Sequence, residues 1–206
     1  MYGKRIGQIL REMPQMVDDV RKDFYDNDTF DPVTHKSGSR RDGYGDIYEH
    51  MSSGENGKFH VYKHSYDDHN KKTGGYDGFV VTNSKGHVHY RINGEGLPPR
   101  GASGKRKFIV RNTGSHQDRK QVGKYSNIIS HIVTQGHVDE WHSDTAHSRG
   151  SVNAYRDLVE NHPHLNVEHS ANGRKTKVTK ENFGEMYKKR GRFVVSRKQD
   201  TADSTK

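Results

Sequence analysis

Residues 124–169, KYSNIISHIVTQGHVDEWHSDTAHSRGSVNAYRDLVENHPHLNVEH, carry the reading of the fold. KYSNIISHIVTQ has helical apolar spacing and Gly136 ends it, while HVDEWHSD alternates as a strand does. A polar turn, Thr145–Ser151, opens a second amphipathic helix over SVNAYRDLVEN, and Leu165–His169 returns as a short strand. A strand, a small-residue turn and a helix start form a recipe for holding an anion. The first-turn N–H groups of a helix have no internal partners and point at whatever precedes them.

Composition limits what surrounds this unit. Hydrophobic residues make up only 28% of the 206, so the core is small and segments must lie outside it. Lys and Arg outnumber Asp and Glu by 35 to 26, a net +9, which favours partners carrying phosphate, although a soluble basic surface accounts for it equally well. The absence of cysteine excludes disulfides, thiol catalysis and cysteine metal sites. The start, MYGKRIGQILREMPQM, lacks the apolar run of a signal peptide and no segment is apolar enough to span a bilayer, so use inside a cell or within a particle is expected. Fifteen histidines are scattered from His35 to His169, and the tighter groups, His60/His64, His87/His89 and His137/His142/His147, are completed by no HExxH or carboxylate set. Hydrogen-bonded or surface histidines are expected, with no metal.

Outward from the central unit, the apolar spacing Ile6, Ile9, Leu10, Met13, Met16, Val17, Val20, Phe24 predicts an amphipathic helix over 3–24, with Pro14 kinking it. Residues 25–57 read as a polar loop or linker, so 1–57 forms an N-terminal extension. Strands are predicted at Lys58–Ser65, Phe79–Thr82 and His87–Ile92, the last two a hairpin across Asn83–Gly86. Residues 94–107 read as a Gly/Pro/basic loop that does not meet P-loop spacing, and Phe108–Val110 as a strand. After the central unit come a short strand at Lys175–Val178, a helix capped by Thr179 and running to about Lys189, the strand Gly191–Ser196, and a polar tail over 197–206. The domain therefore covers 58–196 as an α/β fold of α+β type, a mixed, largely antiparallel sheet flanked by helices.

This order resembles the GNAT acetyltransferase fold, and more closely the small acetyltransferase-like proteins of tailed bacteriophages. The shared run appears here as Ser130–Gln135, Gly136, His137–His142, Ser143-Asp144, Ser148, Gly150, Tyr155 and Leu158, with Lys177–Phe183 before the last strand. The resemblance covers about residues 120–196. It implies acetyl-CoA as donor, held by a turn of the type Gln/Arg-x-x-Gly-x-Gly/Ala, whose matching positions are His147, Gly150 and Val152. The cofactor-binding set it implies is His147, Ser148, Arg149, Gly150 and Ser151. Val152 departs from the pattern, since a branched side chain obstructs close approach to the backbone. Acetyl transfer to an amine needs a base, a polarising backbone N–H in a splayed strand, and an acid. Glu140 and Asp144 flank the strand end where a base would sit, and Tyr187 matches the place of the acid tyrosine.

A non-catalytic alternative is a basic binder of nucleic acid or host protein that uses segments 99–107 and 187–198. Six of the twelve residues in 187–198 are Lys or Arg.

Overall fold

The computed structural model describes residues 39–41, 47–65, 75–99, 104–115 and 122–198. The predicted helix over 3–24, residues 199–206 and the centre of the basic loop at 100–103 lie outside them. The described chain is mixed α+β, built on one ten-stranded, mostly antiparallel sheet. Its strands are β1 (Ser39–Arg41), β2 (Ile47–Gly54), β3 (Phe59–Ser65), β4 (Tyr76–Asn83), β5 (Val88–Leu97), β6 (Lys107–Ser115), β7 (Glu140–His142), β8 (Leu165–Ala171), β9 (Arg174–Lys177) and β10 (Arg192–Arg197). Helix α1 (Tyr125–Thr134) joins β6 to β7, α2 (Arg149–Asn161) joins β7 to β8, and the one-turn α3 (Phe183–Met186) precedes β10. The sheet order is β1-β2-β3-β4-β5-β6-β7-β10-β8-β9, so the last strand inserts between β7 and β8. No helix among the described residues is long and apolar enough to cross a membrane.

The central unit folds for local reasons. Helix α1 ends in a Schellman motif: Gly136 N–H bonds the Val133 carbonyl at 3.1 Å and His137 N–H the Ile132 carbonyl at 3.1 Å. That geometry needs the left-handed conformation Gly136 adopts, φ +74°. A two-point clamp then sets β7 beside β6. Arg106 donates from its backbone N–H (2.8 Å), Nε (3.1 Å) and Nη2 (2.9 Å) to the Asp139 carboxylate. The Arg106 carbonyl in turn accepts from the N–H groups of Asp139 and Glu140. The outcome is the sheet's one parallel pair among the described strands, Lys107↔Glu140, Phe108↔Trp141 and Ile109↔His142.

The main core lies on the sheet face that α1 and α2 cover. Phe108, Trp141, Ile128, Ile129, Ile132, Leu158, Phe193 and Val195 are fully buried there. A smaller cluster, Tyr48, Tyr62, Val80 and Val88, alternates onto the opposite face of β2–β5.

Several expectations need correction. The stretch 25–57, read as a linker, contains β1 and β2, because β2 pairs with β3 over most of its length and Tyr48 is buried. The loop read over 94–107 begins later, since β5 runs on to Leu97 against β6. Of the strand read in HVDEWHSD only Glu140–His142 is regular, because the Asp139 clamp precedes it and Ser143 turns to β10. The predicted Thr179 helix shrinks to Phe183–Met186. Asn182 and Thr179 do bond reciprocally, but Phe183 stacks on Phe193 and the chain turns back at once into β10. Residues 149–151, read as part of the turn, are the first turn of α2.

Candidate functional site

The two strand–turn–helix junctions differ in what their helix starts offer. At α2, the N-cap Ser148 already accepts from Ser151 N–H at 3.3 Å, so part of that first turn is satisfied internally. At α1, the N-cap Lys124 makes no side-chain cap, and Gly123 before it sits at φ +88°. A cleft of about 480 Å³ opens at this second junction. Gly123, Lys124, Tyr125 and Ser126 form one wall and Gly150, Asn153, Ala154 and Asp157 of α2 the other, with Tyr90 beneath.

The cleft's polar groups are held in place. Tyr90 Oη donates to the Gly123 carbonyl at 2.9 Å, fixing the turn before α1. Tyr125 shares a 3.0 Å hydrogen bond with Thr113 of β6, and desolvation of its hydroxyl keeps it protonated well above the ordinary phenol range. Asp157 accepts from Lys124 Nζ (2.9 Å), Ser126 Oγ (2.5 Å) and Asn161 Nδ2 (2.9 Å). Burial opposes its ionisation, but these hydrogen bonds outweigh it and hold its carboxyl at about 2.

Beside the cleft, β6 and β7 part. Their pairing stops at Ile109↔His142, whereas β6 continues to Ser115 along β5. The register of β5 and β6 passes from Asn93↔Asn112 to Gly94↔Val110, leaving Arg111 as an extra residue in β6. A bulge of this kind bends a strand and breaks its ladder, which takes the rest of β6 away from β7.

The residues singled out from sequence are dispersed. Gly150 lines the cleft. Ser148 and Ser151 are engaged with one another, and His147 packs between Tyr155 and Phe193. Arg149 opens α2 and is exposed. Asp144 accepts from Thr145 N–H at 2.6 Å as a turn former, and Tyr187 follows α3 with 42% of its surface exposed; neither lines the cleft. Glu140 is buried and accepts from Lys105 Nζ and Lys175 Nζ, both at 3.1 Å, and from His142 Nε2 at 3.1 Å. Burial pushes its pKa up, yet these donors pull it down to about 2, so Glu140 is too weak a base for its expected role.

What Glu140 does is hold His142, the last residue of β7, at the point where the strands part. A neutral imidazole donating from Nε2 to Glu140 keeps Nδ1 as its basic nitrogen. Burial lowers the His142 pKa below 6.5 against the pull of Glu140, so the ring is neutral at pH 7. Sequence reasoning missed His142 and the 123–126 turn. The signal for the turn was present as Val122-Gly123-Lys124 directly before the helix, but the Ser/Gly composition of 147–151 drew attention instead.

The other histidines serve structure. His131 and His137 both hydrogen-bond Ser52 Oγ of β2, at 2.9 and 2.7 Å. Among the described residues no group of three or more His, Cys, Asp or Glu could hold a metal ion. Compared with known families and curated proteins, the chain matches no family model and no curated protein.

Proposed function

We propose that this chain is a phage-encoded, acetyltransferase-like protein of the GNAT type, taking acetyl-CoA in the cleft at α1 and passing its acetyl group to an amine of a host component. The observation that carries the reading is the parting of the parallel pair β6–β7 next to that cleft, with a bulge in β6 where pairing stops. The residues present fit a phosphate-bearing donor. Uncapped amides at Tyr125 and Ser126 and the Lys124 ammonium supply anion contacts, with Lys124 shared between phosphate and Asp157. The anion turn is thus 123–126, with Gly150 as its opposite wall.

Acetyl-CoA, when bound, supplies the acyl carbon as an activated thioester. The chain's own residues bind, orient and move protons. On the opposite sheet face, across the opening between β6 and β7, His142 takes the acceptor ammonium's proton on Nδ1, while Glu140 holds the ring in that tautomer and stabilises its charged form. Tyr125, protonated at the cleft wall, donates a hydrogen bond that stabilises the departing thiolate.

Two measurements test this. Acetyl-CoA should raise the melting temperature of the wild type, by an amount that grows with ligand concentration. Gly150→Trp should remove that shift: Gly150 lines the cleft, and a Cβ there meets only Ser148 Oγ, at 3.8 Å, so the added side chain starts without a clash. An equal shift in both proteins would sink the reading. In acetyl transfer, the working form of His142 is the neutral one. Because its pKa lies below 6.5, the rate should stay level through neutrality and fall only as pH drops beneath the ordinary imidazole range. His142→Gln should lower kcat about 10²–10⁴-fold and abolish that acid limb. An acid limb that survives in the variant would exclude His142 as the base.

A further inference from the structure

On the sheet face opposite α1 and α2, cations outnumber carboxylates around Glu140. The parallel register puts Lys107 beside Glu140, and Lys107 Nζ stands 3.8 Å from its Oε2. Lys105 and Lys175 meet the same carboxylate at 3.1 Å. Three ammonium groups thus converge on one charge, and Lys175 is shared further with Glu168 at 3.6 Å. Their side chains remain 38–45% exposed while that of Glu140 is 6% exposed, so the carboxylate is the buried anchor and the ammonium groups face solvent.

Lys175 belongs to β9, separated from β7 by β8 and β10. Three interstrand steps of about 4.8 Å would set it too far away on a flat sheet. Its contact with Glu140 therefore requires the β8–β9 hairpin to curl over this face. That curl explains why Val194, on β10 between them, is 1% exposed although it belongs to neither apolar cluster. The outer strand β9 is Arg-Lys-Thr-Lys and exposed along its whole length. Among the described residues neither Arg174 nor Lys177 has an ion-pair partner. A curved face, an edge strand of cations and lysines organised by a buried carboxylate suit an extended chain of negative charges better than one small anion.

We propose that the face formed by Lys105, Lys107, Lys175 and Lys177 around Glu140 binds the phosphodiester backbone of a nucleic acid. Glu140 positions the lysines there and moderates their charge. The face lies apart from the α1 cleft, and Glu140 is shared with the proposed base His142, so the lysine variants, which leave both residues intact, separate DNA binding from acetyl transfer.

The test is anisotropy of a labelled DNA oligonucleotide with the full chain between 50 and 300 mM salt. Affinity should fall steeply with salt, log K against log salt being linear. Lys107→Gln and Lys177→Gln remove the cations least engaged with Glu140. Each should flatten the slope by about one unit and weaken binding roughly tenfold at 0.1 M salt. Glu140→Gln keeps its shape and removes the opposing charge, so it should bind more tightly, a change that partial unfolding does not mimic. No salt-dependent binding at 50 mM would overturn the proposal, as would a slope unchanged when Lys107→Gln and Lys177→Gln are combined. Pyrophosphate competing as well as DNA at equal phosphate would also overturn it, in favour of a small-anion site.

Discussion

Trp141→Ala should be the most damaging single change in the chain, costing about 3–5 kcal/mol and roughly 10 °C in melting temperature. Trp141 is 0% exposed and packs against Phe108 at 5.0 Å, Phe79 at 6.1 Å and Tyr125 at 6.4 Å between ring centroids. Its Nε1 donates to Tyr155 Oη at 3.2 Å, so truncation also strips a buried phenol of its donor. It stands in the three-residue β7 that joins β6 to β10, and a cavity there loosens both halves of the sheet. Trp141→Phe should recover most of the loss, leaving about 1 kcal/mol for the missing hydrogen bond. Because this is the only tryptophan, circular dichroism is the readout for both variants. A melting temperature within a few degrees of wild type for the alanine variant would mean that β7 is not a packing centre.

Gly94→Ala should follow at about 1–3 kcal/mol although it adds a single methyl group. A Cβ at this position would overlap the carbonyl oxygen of Ile109 and come within 2.6 Å of the Phe108 ring. A backbone oxygen cannot swing aside as a side chain does, so β6 itself must move. Gly94 pairs with Val110 at the bulge, and the displaced part of β6 adjoins its short pairing with β7. The variant should therefore lose acetyl-CoA stabilisation as well as thermal stability. Gly150→Ala is the matched control: its Cβ has room, so both properties should stay near wild type. Equal stability of the two alanine variants would show that β5 and β6 do not approach as closely as described.

Parts of the fold were legible because their causes are local. Apolar spacing and Gly136 delimited α1, the amphipathic pattern after the polar turn announced α2, and Asn83–Gly86 marked the β4–β5 turn, where Asn83 Oδ1 accepts from the N–H groups of Lys85 and His87. The strand β2 was not legible, since IYEHMSSG has too little apolar alternation and owes its conformation to pairing with β3. The helix after Thr179 was overread because capping and propensity favour it, while Phe183 and Met186, packed into the core, end it after one turn.

The sequence by itself determined the mixed, mostly antiparallel sheet, the α1–β7–α2–β8 order of the central unit and the basic balance, all properties of neighbours in the chain. The tertiary structure alone decided which turn opens on a cleft and what Glu140 does. Lys105 and Lys175 each lie 35 residues from Glu140, and no local pattern brings them together. A carboxylate readable as a base becomes, with those lysines 3.1 Å away, an anchor for charge and for His142, because its proton affinity depends on its partners and burial.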